Sequence, residues 1–233
     1  MIKCPICDRL VAVSYNIEIK NIDYIWYHCF CGTIFHDNEF SQCYFDEKYI
    51  KQFADLNNMN NEMNYFYKTY GGLIEELTYG RKFLDVGYTI PYNIKYLSDR
   101  GWIATGIDIA NDELIFGDYQ EYDFGEEKFD CIHIGHTLES LENPLEAIKK
   151  SYDLLNNKGV LVITTPAPEL LIRLGLKEFG HCFNPREKWI FISTKEIIDY
   201  ANKCGFKEVL SRYNFSERFG IWNDSHIILQ KRK

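Results

Sequence analysis

The sequence predicts an α/β fold, an open and mostly parallel sheet preceded by a small Cys-rich module, and three observations carry that prediction. A strand, a glycine loop, a helix and a second strand follow one another between Lys82 and Asp108. The same alternation of short apolar runs and amphipathic stretches continues to the C-terminus, as parallel sheets require. Two cysteine pairs fall within the first 31 residues, Cys4-Pro-Ile-Cys7 and Cys29-Phe-Cys31.

The N-terminal pairs bracket a hairpin-like stretch, Leu10 to Tyr27. Four thiolates complete a tetrahedral shell, and a closed Cys4 shell suits structural zinc, which stands in for a hydrophobic core in so short a segment. The second pair is one residue shorter than the usual spacing, so His28 or His36 is an alternative fourth ligand. The plainer reading treats these cysteines as small buried hydrophobes, and Cys43, Cys131, Cys182 and Cys204 fit that description. A redox role for Cys4 and Cys7 is disfavoured, because no strand precedes them to build a thioredoxin-type unit.

An Asn-rich stretch, Asn57 to Asn64, and a helical approach, Tyr65 to Leu77, lead to the main domain. The division expected is a zinc-ribbon-like module over 1–45, a linker over 46–80, and the sheet domain over 81–233. Lys82 to Val86 reads as a buried strand ending at Gly87, where backbone can approach a ligand. Ile94 and Leu97 mark the following helix, which Pro91 is suited to begin, and Trp102 to Ile107 returns as the second strand. Phe129 to Gly135 is a third, and Val160 to Thr164 a fourth. Between them Pro144 opens a helix with Leu145, Ile148, Tyr152 and Leu155 on one face, and Gly159 follows its end. Ser193-Thr-Lys-Glu196 has the form of a capping box and Gly205 that of a stop. Phe206 to Tyr213 and His226 to Leu229 suit a closing antiparallel pair.

An acid about twenty residues past such a glycine loop accepts hydrogen bonds from ribose hydroxyls, and Asp108 stands there. Turn capping is the competing duty for this residue. Neither a three-glycine dinucleotide fingerprint nor a P-loop is present, which argues against NAD and against P-loop nucleotides. The net charge of −8 provides no footprint for nucleic acid. No apolar run reaches the length of a membrane span, and Met1 to Cys4 lacks a signal-peptide core, so a cytoplasmic protein is expected.

Phe83-Leu-Asp-Val-Gly87, Thr105-Gly-Ile-Asp108, Phe116-Gly-Asp118-Tyr119, Phe129-Asp130, His136-Thr-Leu-Glu139, Asn143-Pro144, Lys158-Gly-Val-Leu161 and Cys204-Gly-Phe206 occur in an order and spacing that resembles the class I S-adenosylmethionine-dependent methyltransferases. The Cys-pair module joined to such a core is similar to a subset acting on sugars or other small metabolites. The resemblance implies a Rossmann-like seven-stranded sheet with helices on both faces, S-adenosylmethionine as cofactor beside the zinc, and a small-molecule acceptor. It places Asp85, Gly87, Gly135 and His136 at the methionine end, Asp108 at the ribose, and Asp118 with Tyr119 at the adenine. His136, His181 and Glu139 are the candidate bases, and His181, Asn184, Arg186 and Glu187 the candidate acceptor contacts, in the long connection Thr165 to Trp189. Structural duties compete for each: loop bonding for Asp85, a turn for Asp118, a helix start for His136. The family's later glycines are replaced by Thr89 and Pro91, and Glu-His by Glu139-Ser140. The rival to an enzyme is therefore a catalytically impaired binding or scaffold protein on the same fold.

Overall fold

A computed structural model describes residues 2–11, 13–19, 22–36, 70–170, 185, 187–216 and 222–232. The chain opens with β1 (Ile2–Lys3) and β2 (Leu10–Val11), an antiparallel pair, followed by the hairpin β3 (Val13–Ile19) and β4 (Ile22–His28) and by β5 (Ile34–His36). Helix α1, helical over 70–77 among the described residues, precedes β6 (Lys82–Val86), α2 (Tyr92–Ser98), β7 (Ile103–Asp108) and β8 (Ile115–Phe116). Then come β9 (Phe129–Gly135), α3 (Pro144–Leu154), β10 (Leu155–Pro166), β11 (Ile190–Phe191), α4 (Thr194–Cys204), β12 (Phe206–Ser216) and β13 (Trp222–Lys231).

The main sheet has seven strands in the order β12-β13-β10-β9-β6-β7-β8, with β13 antiparallel to both neighbours and the remaining pairs parallel. This is the expected α/β architecture. Alternate residues of each strand feed two cores, as strand geometry dictates. Leu84, Val86, Ile132, Ile134, Leu161, Ile163, Ile227 and Leu229 join α3 and α4 on one face. Phe83, Cys131, Val160, Val162 and Ile228 join α1 and α2 on the other. Strand order reverses between β6 and β9, because β7 and β8 lie to one side of β6 and β9 to the other. At such a switch point the loops beyond the carboxyl ends splay apart and leave a crevice.

Local signals set the helix ends. Ser193 accepts from the Glu196 amide at 3.3 Å, and Gly205 ends α4 at φ +107, a conformation glycine adopts without the Cβ penalty. Pro144 is at the start of α3. Its buried stripe, however, is Pro144, Ala147, Ile148, Ser151 and Leu154, with Leu145 and Tyr152 only partly buried at its margins. Small Ala147 and Ser151 thus share the buried face with Ile148 and Leu154.

The Cys-rich segment is built into the main domain. Its sheet runs β11-β5-β4-β3, so a strand from residues 190–191 completes it, Ile190 opposite Phe35 and Phe191 opposite Ile34. Trp26, fully buried, stacks on Phe191 at 5.4 Å between ring centres. Cys4, Val11, Cys29 and Phe35 belong to the same apolar cluster as the inner sheet residues.

Candidate functional site

The crevice begins at the loop after β6. Gly87 takes φ +69, and a Cβ there would lie 2.2 Å from the Thr137 hydroxyl, so the loops after β6 and β9 touch across the switch point. Thr137 Oγ1 also donates to the Val86 carbonyl at 3.1 Å. Thr89 has φ +43, a left-handed conformation that a β-branched residue adopts at a cost. Its N–H donates to Asp108 Oδ2 at 3.0 Å, and its carbonyl accepts from Asn111 Nδ2 at 2.8 Å. Asp108 Oδ1 meanwhile accepts from the amides of Ala110 (2.7 Å) and Asn111 (3.1 Å). Tyr88 spans the same space, its hydroxyl donating to Asn111 O and accepting from Leu114 N, each at 3.2 Å. Burial raises the Tyr88 phenol to about 12, so it stays a neutral donor.

Beneath this loop lies a buried polar row. His133 Nδ1 donates to Asp85 Oδ1 at 2.8 Å, and Asn93 Nδ2 to Asp85 Oδ2 at 3.0 Å. Asp85 is thus held from strand β9 and helix α2, with 3% of its surface exposed. Two strands away, Arg212 Nε donates to the Tyr70 hydroxyl at 2.9 Å, which leaves the phenol proton for His226 Nδ1. Burial lowers His226 to about 4, as fits a neutral acceptor.

Across the crevice His136, at φ +51, follows β9 and is tied by its amide to Thr164 O at 2.8 Å. Its imidazole stands between two carboxylates, Nδ1 at 3.7 Å from Glu139 Oε1 and Nε2 at 3.4 Å from Asp224 Oδ2. Burial would lower its pKa, but Asp224 first and Glu139 second outweigh that and push it up to about 9. Glu139 is buried yet ionised: desolvation opposes its charge, while Lys188, with Nζ at 3.1 Å, and His136 hold it down at about 2. Thr165 Oγ1 donates to its other oxygen at 3.0 Å. At neutral pH His136 is therefore an imidazolium, able to hold or give a proton and orient a polar acceptor; it becomes a base only above its raised pKa.

The sequence-predicted residues fall into three groups. Asp85, Gly87, Asp108, Gly135, His136 and Glu139 converge on the carboxyl ends of β6, β7 and β9. Asp118 Oδ1 accepts from the Gln120 amide at 2.8 Å, and Tyr119 is buried with its hydroxyl 2.9 Å from Ser151 Oγ. The Glu187 carbonyl accepts from Ser140 Oγ at 2.5 Å. His181, Asn184 and Arg186, like Cys43, Cys182 and the stretch Asn57 to Asn64, lie outside the described residues. The reading from sequence missed Asn93, His133, Lys188, Arg212, Asp224 and His226. Of these only His133 and His226 carried a signal, each a titratable residue inside an apolar strand.

The two cysteine pairs converge as well. Cys4, Cys7, Cys29 and Cys31 place their sulfurs within 4.8 Å of one another, with Cys4 to Cys31 at 3.8 Å and Cys7 to Cys29 at 3.4 Å. A zinc–sulfur bond of about 2.3 Å in a tetrahedron gives sulfur edges of about 3.8 Å, so these spacings fit that ion. Sharing a proton with Cys4 holds the Cys31 thiol below its usual range, while the same contact and burial push Cys4 up. His36 is not in the cluster; its Nε2 lies 3.2 Å from Lys188 O.

A family model described as a methyltransferase domain matches residues 58–211. This chain belongs to that methyltransferase family. It has the class I, S-adenosylmethionine-dependent architecture, and the fold is shared with solved enzymes at low identity. An S-adenosylmethionine-dependent methyltransferase from Methanosarcina mazei is 19% identical at a TM-score of 0.54, covering 69% of this chain and 97% of its own. The 1,6-didemethyltoxoflavin N1-methyltransferase of Burkholderia thailandensis is 12% identical at 0.60, over 95% and 100%. The magnesium protoporphyrin IX methyltransferase of Synechocystis is 15% identical at 0.53, over 84% and 90%. No curated protein matches the chain. Among the described residues no helix is long and apolar enough to cross a membrane.

Proposed function

We propose that this methyltransferase moves the methyl group of S-adenosylmethionine to a small, polar acceptor, a sugar or related metabolite among the candidates, held beside His136. The observation that carries this reading is the convergence at the carboxyl ends of β6, β7 and β9, with the buried Asp108 carboxylate on one side and the flanked His136 imidazole on the other. Asp108 spends three of its roughly four acceptor positions on backbone amides. The fourth suits a ribose hydroxyl. Gly87 presents backbone at the methionine end, and Asp85, fixed by His133 and Asn93, stiffens the strand end that carries it.

When bound, the sulfonium supplies an activated methyl group, so the protein needs chiefly to align the acceptor and manage one proton. Glu139 and Asp224 fix the imidazole plane of His136, and that ring orients the acceptor heteroatom or takes its proton at high pH. The solved relatives support a small acceptor by their own names, toxoflavin precursor and magnesium porphyrin. Thr89 keeps a glycine-like left-handed turn, so the altered loop retains its shape, and nothing in it favours the scaffold reading. The four N-terminal thiols would hold zinc in a closed structural shell with no position for substrate, consistent with a cytoplasmic setting that keeps them reduced.

Isothermal calorimetry with S-adenosylhomocysteine tests the donor site. Binding that Asp108→Ala weakens is expected, and a wild-type protein that binds neither this nucleoside nor S-adenosylmethionine would overturn the reading. Elemental analysis of protein purified without chelator, expected at one zinc per chain, tests the metal.

A further inference from the structure

Two chains of contact leave the second cysteine pair and end on the two carboxylates that flank His136. The first runs through β5. Cys29 and Cys31 close a tight knuckle, Gly32 N donating to Cys29 O at 2.8 Å and Cys29 N to Thr33 O at 2.9 Å. Three residues on, the His36 amide donates to Trp189 O at 3.0 Å, and its ring nitrogen lies 3.2 Å from Lys188 O. That segment then grips the His136 loop: Trp189 N donates to Glu139 O at 3.1 Å, Trp189 Nε1 to Leu141 O at 2.7 Å, and Lys188 Nζ pairs with the Glu139 carboxylate.

The second chain leaves the knuckle directly. Ser193 Oγ donates to Cys31 O at 2.9 Å. The next residue, Thr194, places its hydroxyl 2.5 Å from Ser225 Oγ, and Ser225 adjoins Asp224, the partner of His136 Nε2. Both routes consist of buried or half-buried groups, and between them they determine where both oxygens facing the imidazole sit.

We propose that the cysteine knuckle is a positioning device for the crevice: with its metal held, it sets the orientation of His136 through Lys188–Glu139 and through Ser193–Thr194–Ser225–Asp224, so that acceptor handling depends on the module while donor binding does not. The proposal rests on the reading of His136 as the residue facing the acceptor. The donor wall is built from other contacts and meets the His136 loop at Thr137, whose hydroxyl donates to Val86 O. Asp108, Thr89 and Asn111 bond to one another, and Asp85 to His133 and Asn93. Lys188 and Asp224 are accordingly positioning residues, which act on acceptor chemistry only through the imidazole.

The test reads His136 and the donor site separately in the full chain. The imidazole nitrogens of His136, assigned by their loss in His136→Gln, are followed by nitrogen-15 NMR, and S-adenosylhomocysteine affinity by calorimetry. Removing the metal with a chelator should shift or broaden the His136 signals, and readdition of zinc should restore them. Ser193→Ala should perturb them in the same direction, and Lys188→Met should do so with recovery in Lys188→Arg. Throughout, nucleoside affinity should stay within about twofold, as expected for sites without shared partners. His136 signals unchanged by both metal removal and Ser193→Ala would overturn the proposal. So would a parallel loss of nucleoside affinity, since the module would then be supporting the whole core. If Lys188→Met does not fold, Ser193→Ala and the chelated wild type still decide. A zinc-loaded protein that binds no nucleoside would instead defeat the donor reading, while the imidazole signals still judge the link.

Discussion

The two walls of the crevice each hold a non-glycine residue at positive φ, Thr89 at +43 on one side and His136 at +51 on the other, yet they stabilise it by different physics. At Thr89 the support is given to the main chain: a carboxylate takes the N–H and a side-chain amide gives to the carbonyl. The side chain itself is not what the surroundings grip. At His136 the backbone N–H donates to the Thr164 carbonyl, and the side chain stands between two carboxylates. A wall held by main-chain bonds is fixed in shape by its own loop. A wall held by paired charges can be tuned by protonation and by anything that moves the partner groups.

The largest effect that would break this contrast is at Lys188. Lys188→Met leaves Glu139 buried without its closest cation, and removal of one partner of a buried pair costs about 3–5 kcal/mol, to be read by urea denaturation. A loss below about 1 kcal/mol would mean that the charged wall is less dependent on pairing than its burial implies. On the opposite wall, Asp108→Ala removes the acceptor of three amides and one proposed ribose hydroxyl. With charge-assisted bonds at about 1.5–3 kcal/mol each, S-adenosylhomocysteine affinity should fall at least about tenfold. Thr89→Gly should have the reverse sign. It relieves a left-handed penalty of about 1–2 kcal/mol and adds about 0.4–1 kcal/mol of unfolded-chain entropy, for a net gain of up to about 1.6 kcal/mol in thermal or chemical denaturation.

The most diagnostic effect is on pH dependence. His136, raised from 6.5 to about 9, favours the folded state fully below pH 6.5 and loses that contribution as pH rises through 9. His226, lowered from 6.5 to about 4, acts in the opposite direction, so stability falls as pH drops from 6.5 towards 4. Together they place a stability maximum near pH 6.5. Asp224→Asn should lower the His136 pKa and flatten the alkaline limb, measured by NMR titration and by melting temperature against pH.

What the sequence disclosed and what it hid divides along contact distance. The strand before Gly87, the cap at Ser193, the stop at Gly205 and the cysteine pairs were legible because each is a pattern within a few residues. The convergence of Asp85, Asp108 and His136 followed from the parallel topology those patterns imply. The grip of Lys188 on Glu139, of Asp224 on His136 and of Tyr70 on His226 was not legible, because the partners lie 49, 88 and 156 positions apart and none sits in a motif. Likewise Ile190-Phe191 gave no sign that it would pair with Ile34 and Phe35 instead of the main sheet. Of the α3 stripe Ile148 was legible, while Ala147 and Ser151 were missed because they are too small to register as apolar anchors.

The pairing of β5 with β11 also orders events during synthesis. Residues 34–36 leave the ribosome long before residues 190–191, so this early segment waits for its complete sheet. Until then its cysteine knuckle lacks the Ser193 hydroxyl that binds it, and Trp26 lacks the Phe191 ring. Closure of so distant a loop is slow relative to local helix formation, and the nascent chain therefore carries four uncovered thiols for most of its translation, during which an early-captured ion would protect them from stray oxidation.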